Sequence, residues 1–84
     1  VWTPRLREFK PQMILISAGF DGHYEDDMGG LKLLEKDFGW CTGHLKSLAA
    51  EMCNKRIVSM LEGGYVMTSL ARSVGAHLRA LADL

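Results

Sequence analysis

Two segments of this sequence place a chemically capable side chain directly after an apolar run. The apolar run Met13–Ile16 leads through small residues to Asp21, and Ile57–Leu61 leads through a pair of glycines to Tyr65. A carboxylate at such a strand end can ligate a metal or act as a base. A phenol, with a pKa of about 10, stays protonated and can donate a hydrogen bond to a developing oxyanion. The two segments predict an acid and a phenol at one active-site rim.

For Asp21, the local sequence leaves two interpretations open. The ligand-binding edge of an open parallel sheet lies at the carboxyl ends of its strands, which favours a functional carboxylate. Aspartate also caps loops by accepting hydrogen bonds from nearby backbone N–H groups. Taken alone, the local sequence favours the cap.

The same loop continues with His23 and the acidic residues Glu25, Asp26 and Asp27. A single histidine in a loop is more often exposed than bound to a metal, and an acidic run is more often a solvated face. A catalytic zinc normally takes three protein ligands and keeps a fourth position open. The sequence offers one well-placed carboxylate and no convincing histidine pair.

Two further sites are open to a metal or a packing interpretation. Cys41 and His44 stand three residues apart on a predicted helix, but Cys41 falls on its apolar stripe, so we expect packing there. His77 lies beside Leu78 on the last predicted helix, where we expect a surface or half-buried position.

The glycines Gly63 and Gly64 also allow two interpretations. Glycines between a strand and a helix can cradle a phosphate with backbone N–H groups. The complete G-x-G-x-x-G pattern and a following Gly-Lys-Ser/Thr are both absent, which argues against a dinucleotide site. Alternatively, they let the backbone approach a substrate closely while Tyr65 presents its hydroxyl.

The elements that position these residues follow a β-α-β-α order after a short first helix. We predict strands at Met13–Ser17 and Arg56–Leu61, a long loop at Ala18–Leu33, and helices at Pro4–Phe9, Glu35–Cys53 and from about Thr68. The first strand is apolar throughout, which predicts a parallel strand buried on both faces. A right-handed crossover brings both following loops to the same edge. Because two parallel strands do not form a free-standing sheet, we expect further residues or a second copy to complete it.

Composition narrows the class of protein. The 84 residues allow one domain at most, and ten basic residues balance ten acidic ones, so there is no basic field for nucleic acid. No apolar run approaches the ~20 residues that cross a bilayer. Cys41 and Cys53 lie about 18 Å apart along one predicted helix, too far for a disulfide, and free thiols are typical of the cytoplasm. We therefore expect a soluble cytoplasmic protein.

Four segments together closely resemble the C-terminal part of zinc-dependent histone deacetylase family enzymes. The likeness is nearest to the bacterial branch that includes acetylpolyamine amidohydrolases and acetoin-utilisation proteins. The segments occur in the family's order over nearly the whole chain: Ile16–His23, Asp26–Leu31, Leu61–Tyr65 and Ser73–Leu78.

The resemblance implies an α/β fold, the βαβα portion of an arginase/deacetylase-type three-layer sandwich with parallel strands. It implies that Asp21 is a Zn²⁺ ligand and that Tyr65 polarises the acetyl carbonyl and stabilises the oxyanion. It also implies that Gly63 and Gly64 line the channel for an acetyl-lysine or acetylpolyamine substrate. Met28 matches a position at the wall of that channel.

The chain lacks several catalytic residues of the family pattern. The family takes its other two zinc ligands from an upstream Asp-x-His motif and its proton shuttle from an upstream His-His pair, and His23, His44 and His77 match neither. Val66 replaces the usual Asn or Asp after the tyrosine. We therefore expect residues 1–84 to be a partial domain of a longer enzyme, inactive alone and without stably bound zinc.

Two other functions stay open at this point. The first is a non-catalytic interaction module that forms a homodimer through exposed sheet edges. The second is a small nucleotide-binding βα unit that uses Gly63 and Gly64.

Overall fold

The computed structural model describes residues 2–83, which form three helices and two strands. The elements are α1 (Trp2–Phe9), β1 (Ile14–Ala18), α2 (Glu35–Met52), β2 (Ile57–Leu61) and α3 (Met67–Ala82). The predicted order is confirmed, and the boundaries differ from the predicted ones by one or two residues. None of the helices in this described part of the chain has the length and apolar character required to traverse a bilayer.

The two strands pair in parallel, from Ile14 opposite Ile57 to Ala18 opposite Leu61. The pairing continues past the strands, because the Glu62 amide donates to the Ala18 carbonyl at 2.9 Å and the Phe20 amide donates to the Gly63 carbonyl at 2.7 Å. Both following loops therefore leave the same edge of the sheet side by side, as the crossover predicted.

Helices α2 and α3 pack against each other and cover one face of the sheet. The residues on that face alternate with the residues that point the other way. Leu15 is 62% exposed and Met60 is 53% exposed, and Val58 beside them is also exposed. The prediction that the first strand is buried on both faces is therefore wrong for residues 2–83, because no described element covers the second face.

The buried core lies between β1 and the two long helices. Phe20 packs edge-on against Phe38 and His77, with ring centroids 5.2 Å and 5.6 Å away. Cys53 is fully buried and its thiol donates to the Pro11 carbonyl, whereas Cys41 is exposed. The expectation that Cys41 packs in the core is wrong, because Cys41 lies at the rim of a small cavity between β1 and α2, where its side chain stays exposed.

Two short turns set the ends of α2. At its start, the Leu34 amide donates to the Asp37 carboxylate at 2.8 Å. After its last residue the chain reverses through Asn54 and Lys55, both in the left-handed region with φ of 52° and 66°. The Lys55 amide donates back to the Ala49 carbonyl, which closes the turn into β2. This turn lies at the opposite end of the sheet from the loops that follow β1 and β2.

Candidate active site

The carboxylate of Asp21 lies against the backbone of Gly63. A Cβ on Gly63 would lie 2.7 Å from Oδ1 of Asp21, and a Cβ on Gly19 would lie 3.1 Å from the same atom. Both distances are shorter than an ordinary van der Waals contact, so the carboxylate occupies space that only glycine leaves open. The structure thus brings together the ends of the two segments that the sequence singled out.

The Asp21 carboxylate is free, and a neighbouring aspartate caps the loop instead. Hydrogen bonds and ion pairs in this loop involve His23, Glu25 and Asp26, but the Asp21 carboxylate has no partner among residues 2–83. The interpretation of Asp21 as a loop cap is therefore wrong. Its carboxylate oxygens remain accessible to a ligand.

Asp26 is the residue that bonds the backbone. It is only 2% exposed, and its Oδ1 accepts from the Met28 amide at 2.9 Å while Oδ2 accepts from the Tyr65 amide at 2.7 Å. The Tyr65 amide holds the pKa of this carboxyl below its ordinary value, and burial opposes that effect. The acidic run is therefore not a uniformly solvated face, since Asp26 is buried while Glu25 and Asp27 are exposed.

The side chain of Tyr65 is exposed to solvent, whereas its backbone is held by a hydrogen bond to Asp26. The side chain is 59% exposed, and its hydroxyl has no hydrogen-bond partner in the described residues. The preceding Gly64 has φ of 137°, and a Cβ there would lie 2.6 Å from Leu70 Cδ1 and 3.3 Å from Phe20 Cβ. Glycine is required at this position because its backbone conformation excludes other residues.

Met28 lies in a loop that folds back onto Asp21. Its side chain is exposed, and the following Gly29 approaches so closely that a Cβ there would overlap the Asp21 carbonyl oxygen. Sequence reasoning missed this role of Gly29. The only available signal was the Gly29-Gly30 pair that follows the acidic run.

His23 is a structural residue at the centre of the long loop. The imidazole is 1% exposed, and Nδ1 accepts from the Glu25 amide at 3.0 Å. Its ring stacks on Phe38, with centroids 6.5 Å apart and planes 8° apart. The expectation of an exposed histidine is wrong, because this stacking and backbone pairing with Leu33 bury the ring beneath the loop.

Arg72 of α3 links the loop after β1 to the start of α2 through ion pairs at the protein surface. Its guanidinium forms ion pairs with Glu25 of the loop and with Glu35 at the start of α2. The pair with Arg72 is the main reason that the pKa of Glu35 falls to about 2. Nε2 of His23 lies 3.4 Å from Glu35 Oε1, so the buried ring adjoins this network.

His77 joins α3 to both α2 and β2. Its Nδ1 lies 2.7 Å from Thr42 Oγ1 and its Nε2 lies 2.8 Å from Ser59 Oγ. The Thr42 hydroxyl donates to the Phe38 carbonyl at 2.7 Å, so it accepts from Nδ1–H, and Nε2 then accepts from Ser59. Burial lowers the pKa of His77. The expectation of a surface or half-buried position is wrong, because His77 is buried and both of its ring nitrogens find partners inside the fold.

The pair Cys41 and His44 does not form a metal site. The His44 ring stacks on Trp40, with centroids 5.4 Å apart, and Nε2 lies 3.0 Å from Thr3 Oγ1. More generally, residues 2–83 contain no group of three His, Cys, Asp or Glu side chains placed to hold a metal ion.

Comparison with known proteins gives the family. Residues 1–81 match the model of the histone deacetylase domain. The chain belongs to the histone deacetylase family. The resemblance noted in its sequence motifs is thereby confirmed.

Similarity to individual deacetylases supports this family assignment. The chain is 49% identical over 83 residues to type-2 histone deacetylase 2 of Dictyostelium discoideum, which covers 95% of the chain and 5% of that protein. It is 39% identical over 81 residues to the polyamine deacetylase HDAC10 of Mus musculus, covering 96% of the chain and 12% of that protein.

A solved deacetylase structure confirms the fold class. The crystal structure of the HDA15 HD domain superposes with a TM-score of 0.86 at 29% identity, covering 99% of the chain and 22% of that structure. The chain is thus a portion of a deacetylase-type α/β fold. It spans less than a quarter of each deacetylase compared above.

Proposed function

We propose that the natural polypeptide containing this deacetylase chain hydrolyses acetylated amines, either acetyl-lysine or acetylpolyamine, with zinc as cofactor. In this proposal Asp21 is one zinc ligand and Tyr65 is the oxyanion donor. The observation that carries it is the position of the Asp21 carboxylate. This carboxylate has no partner within residues 2–83, and it lies against Gly63, two residues before Tyr65. Family membership and the likeness to a protein named polyamine deacetylase support the substrate class.

The residues present fit a zinc site in part. The Asp21 carboxylate supplies an oxygen ligand of a type that zinc accepts, and Gly19 and Gly63 leave it room. The described residues supply no group of three ligands, so the remaining ligands must come from outside residues 2–83. When bound, zinc polarises a carbonyl and lowers the pKa of its water to about 7.

Tyr65 contributes a hydrogen bond that strengthens as the reaction proceeds. Its hydroxyl is unpaired within residues 2–83, so it can donate to the acetyl oxygen without first breaking an internal bond. Negative charge develops on that oxygen as the amide is attacked. A donor held in place before the reaction stabilises this charge without reorganising.

Gly63, Gly64 and Met28 are proposed to line the substrate channel. The two glycines carry no side chain that would obstruct an extended acyl-amine chain, and Gly64 adopts a conformation that other residues avoid. The Met28 side chain is exposed at the same edge, where its flexible thioether can pack against methylene groups of the substrate.

Proton transfer to the leaving amine is assigned to a group outside residues 2–83. His23 is buried and uses Nδ1 to accept a backbone amide. Both ring nitrogens of His77 are bonded inside the fold. Neither imidazole is therefore placed to take a proton from an attacking water.

Two substitutions in the zinc-loaded natural polypeptide test the proposal. Asp21→Asn should lose bound zinc and activity together, because an amide is a far weaker zinc ligand than a carboxylate. Tyr65→Phe should keep its zinc and lose kcat by about 10²- to 10³-fold, the usual loss when one oxyanion donor is removed. The readouts are zinc content and acetate released from an acetyl-lysine peptide and from an acetylpolyamine.

The chain offers matched controls for both substitutions. Asp27→Asn changes an exposed carboxylate in the same loop, and Tyr24→Phe changes an exposed phenol nearby. Both should leave zinc content and kcat close to the parent. Full activity in Asp21→Asn or Tyr65→Phe would overturn the proposal.

A second function is supported by the uncovered face of the sheet. Leu15, Val58 and Met60 form an exposed apolar patch on the two strands, referred to below as the open face. Exposed apolar patches on folded chains commonly mark contact surfaces. We propose that, when this chain is alone in solution, a second copy pairs with an exposed edge of the two-stranded sheet and covers the open face, which gives a homodimer.

A further inference from the structure

One buried carboxylate joins the two loops that carry Met28 and Tyr65. Asp26 accepts from both of their backbone amides, one with each oxygen, at 2.9 Å and 2.7 Å. The bond to Tyr65 spans 39 positions of sequence, so it is a contact between loops rather than a local turn. No other side chain among residues 2–83 bonds the Tyr65 backbone.

We propose that Asp26 is a positioning residue for deacetylation, which holds the Tyr65 phenol and the Met28 channel wall at a fixed separation. The inference rests on the proposed function of Tyr65. Asp26 itself does not touch the reacting atoms, and it acts through the backbone of Tyr65.

Tyr65 needs such an anchor because of what flanks it. On one side is Gly64, whose lack of a side chain permits a wide range of backbone angles. On the other side α3 begins only at Met67, and its first turn is closed by the Leu70 amide donating to the Val66 carbonyl. The hydrogen bond to Asp26 therefore fixes the Tyr65 backbone at a point between a flexible glycine and the start of α3.

Asp26 can serve as an anchor because it is itself fixed. Its amide donates to the His23 carbonyl at 3.0 Å, and the buried His23 ring stacks on Phe38 of α2. A chain of contacts thus connects the helical core to the Tyr65 backbone. Misplacing a reacting group by about 1 Å can cost about 10²-fold in rate, so a constraint of this kind bears directly on kcat.

The test is a double-mutant cycle in the zinc-loaded natural polypeptide with an acetyl-lysine peptide as substrate. Asp26→Asn keeps the size of the side chain but replaces one acceptor oxygen with an NH₂ group, which cannot accept from a backbone amide. We expect kcat to fall by about 10-fold or more with little change in KM, because the oxyanion contact forms mainly in the transition state.

The cycle separates positioning from general loosening of the fold. If Asp26 acts through Tyr65, Asp26→Asn should cost at most about 2-fold when Tyr65→Phe is already present, because the donor to be positioned is absent. A merely structural role would cost the same factor in both backgrounds. The NMR signal of the Tyr65 amide proton should also move upfield and exchange faster in Asp26→Asn, since it loses a charged acceptor.

Asp37→Asn is the matched control. Asp37 also accepts a backbone amide with its carboxylate, from Leu34 at 2.8 Å, but that bond caps α2 and does not reach Tyr65. It should leave kcat within about 2-fold of the parent. Equal losses in Asp26→Asn and Asp37→Asn, or additive losses in the double mutant, would overturn the inference.

The outcome for Tyr65→Phe keeps the two proposals apart. If that variant retains full activity, the proposed role of Tyr65 fails, and the positioning role fails with it. If it loses activity while Asp26→Asn keeps kcat and an unshifted Tyr65 amide, only the positioning role fails.

Discussion

Gly63 lies so close to Asp21 that the carboxylate of the aspartate fills the place where a side chain would be, 2.7 Å from a Cβ built on the glycine. This contact joins the loop after one strand to the loop after the other. Because the two groups are in contact, the size of residue 63 determines where the Asp21 carboxylate points.

Gly63→Ala should push the Asp21 carboxylate away and weaken zinc binding by about 10- to 100-fold, as changes that displace a ligand commonly do. Competitive zinc titration of the natural polypeptide measures the effect. Gly43→Ala is the control, because a Cβ there meets no atom within 4 Å and alanine favours the helix by up to about 1 kcal/mol. Unchanged zinc affinity in Gly63→Ala would show that the contact does not orient Asp21.

The 84-residue chain by itself should neither bind zinc stoichiometrically nor release acetate. One carboxylate cannot supply the three protein ligands of a catalytic zinc, and residues 2–83 contain no further group placed to do so. Metal analysis after dialysis and an acetate assay with acetyl-lysine peptide decide the point. Stoichiometric zinc that is lost on Asp21→Ala would contradict this expectation.

The chain alone should also associate in solution through the open face. Burying apolar surface contributes roughly 25 cal/mol per Å², so covering that face favours association. Replacing Leu15 and Met60 by threonine, which retains strand propensity, should shift the mass measured by sedimentation equilibrium toward the monomer. Leu31→Thr changes an exposed leucine in the loop and should leave the mass unchanged. A monomeric parent chain would argue against the homodimer.

Folding stability should decline as the pH falls below the unfolded pKa of His77, about 6.5. Burial lowers the folded-state pKa, so between the two values the unfolded chain binds a proton that the folded chain does not. The free energy of unfolding then decreases until the pH reaches the folded pKa. Urea denaturation of the natural polypeptide at pH 7.5 and pH 5.5 measures this loss.

His77→Gln isolates the histidine's share of that pH dependence, because glutamine does not titrate. The variant should be less stable than the parent at pH 7.5, since it cannot reproduce both hydrogen bonds, to Thr42 and Ser59. The difference in stability between parent and variant should narrow at pH 5.5. A constant difference across this range would mean that the buried ring does not titrate on unfolding.

The sequence was sufficient to predict the order of elements and the meeting of the two loops, because parallel strands with a crossover have one possible ligand-binding edge. It was also sufficient to single out the two segments that end in Asp21 and Tyr65, whose loops meet where the Asp21 carboxylate lies against Gly63. The same local rules gave the wrong interpretation of His23, whose burial depends on stacking with Phe38 and on pairing between distant ends of the loop.

The burial of Asp26 and its hydrogen bond to the Tyr65 amide could not be predicted from the sequence, for a related reason. Its partner at Tyr65 is 39 residues away, and one carboxylate among several in an acidic run carries no local mark of burial. The face of β1 that holds Leu15 is a different case. Its apolar character predicts a buried surface, but Leu15 is exposed because no element within residues 2–83 covers that face.

The left-handed turn at Asn54 and Lys55 has a practical consequence. Both residues are exposed and lie at the far end of the sheet from Asp21 and Tyr65. Exposed turns with polar residues are the places where chains best tolerate insertions. A fluorescent reporter domain or an affinity handle spliced between these two residues would mark the protein while leaving the loops that meet at Gly63 undisturbed.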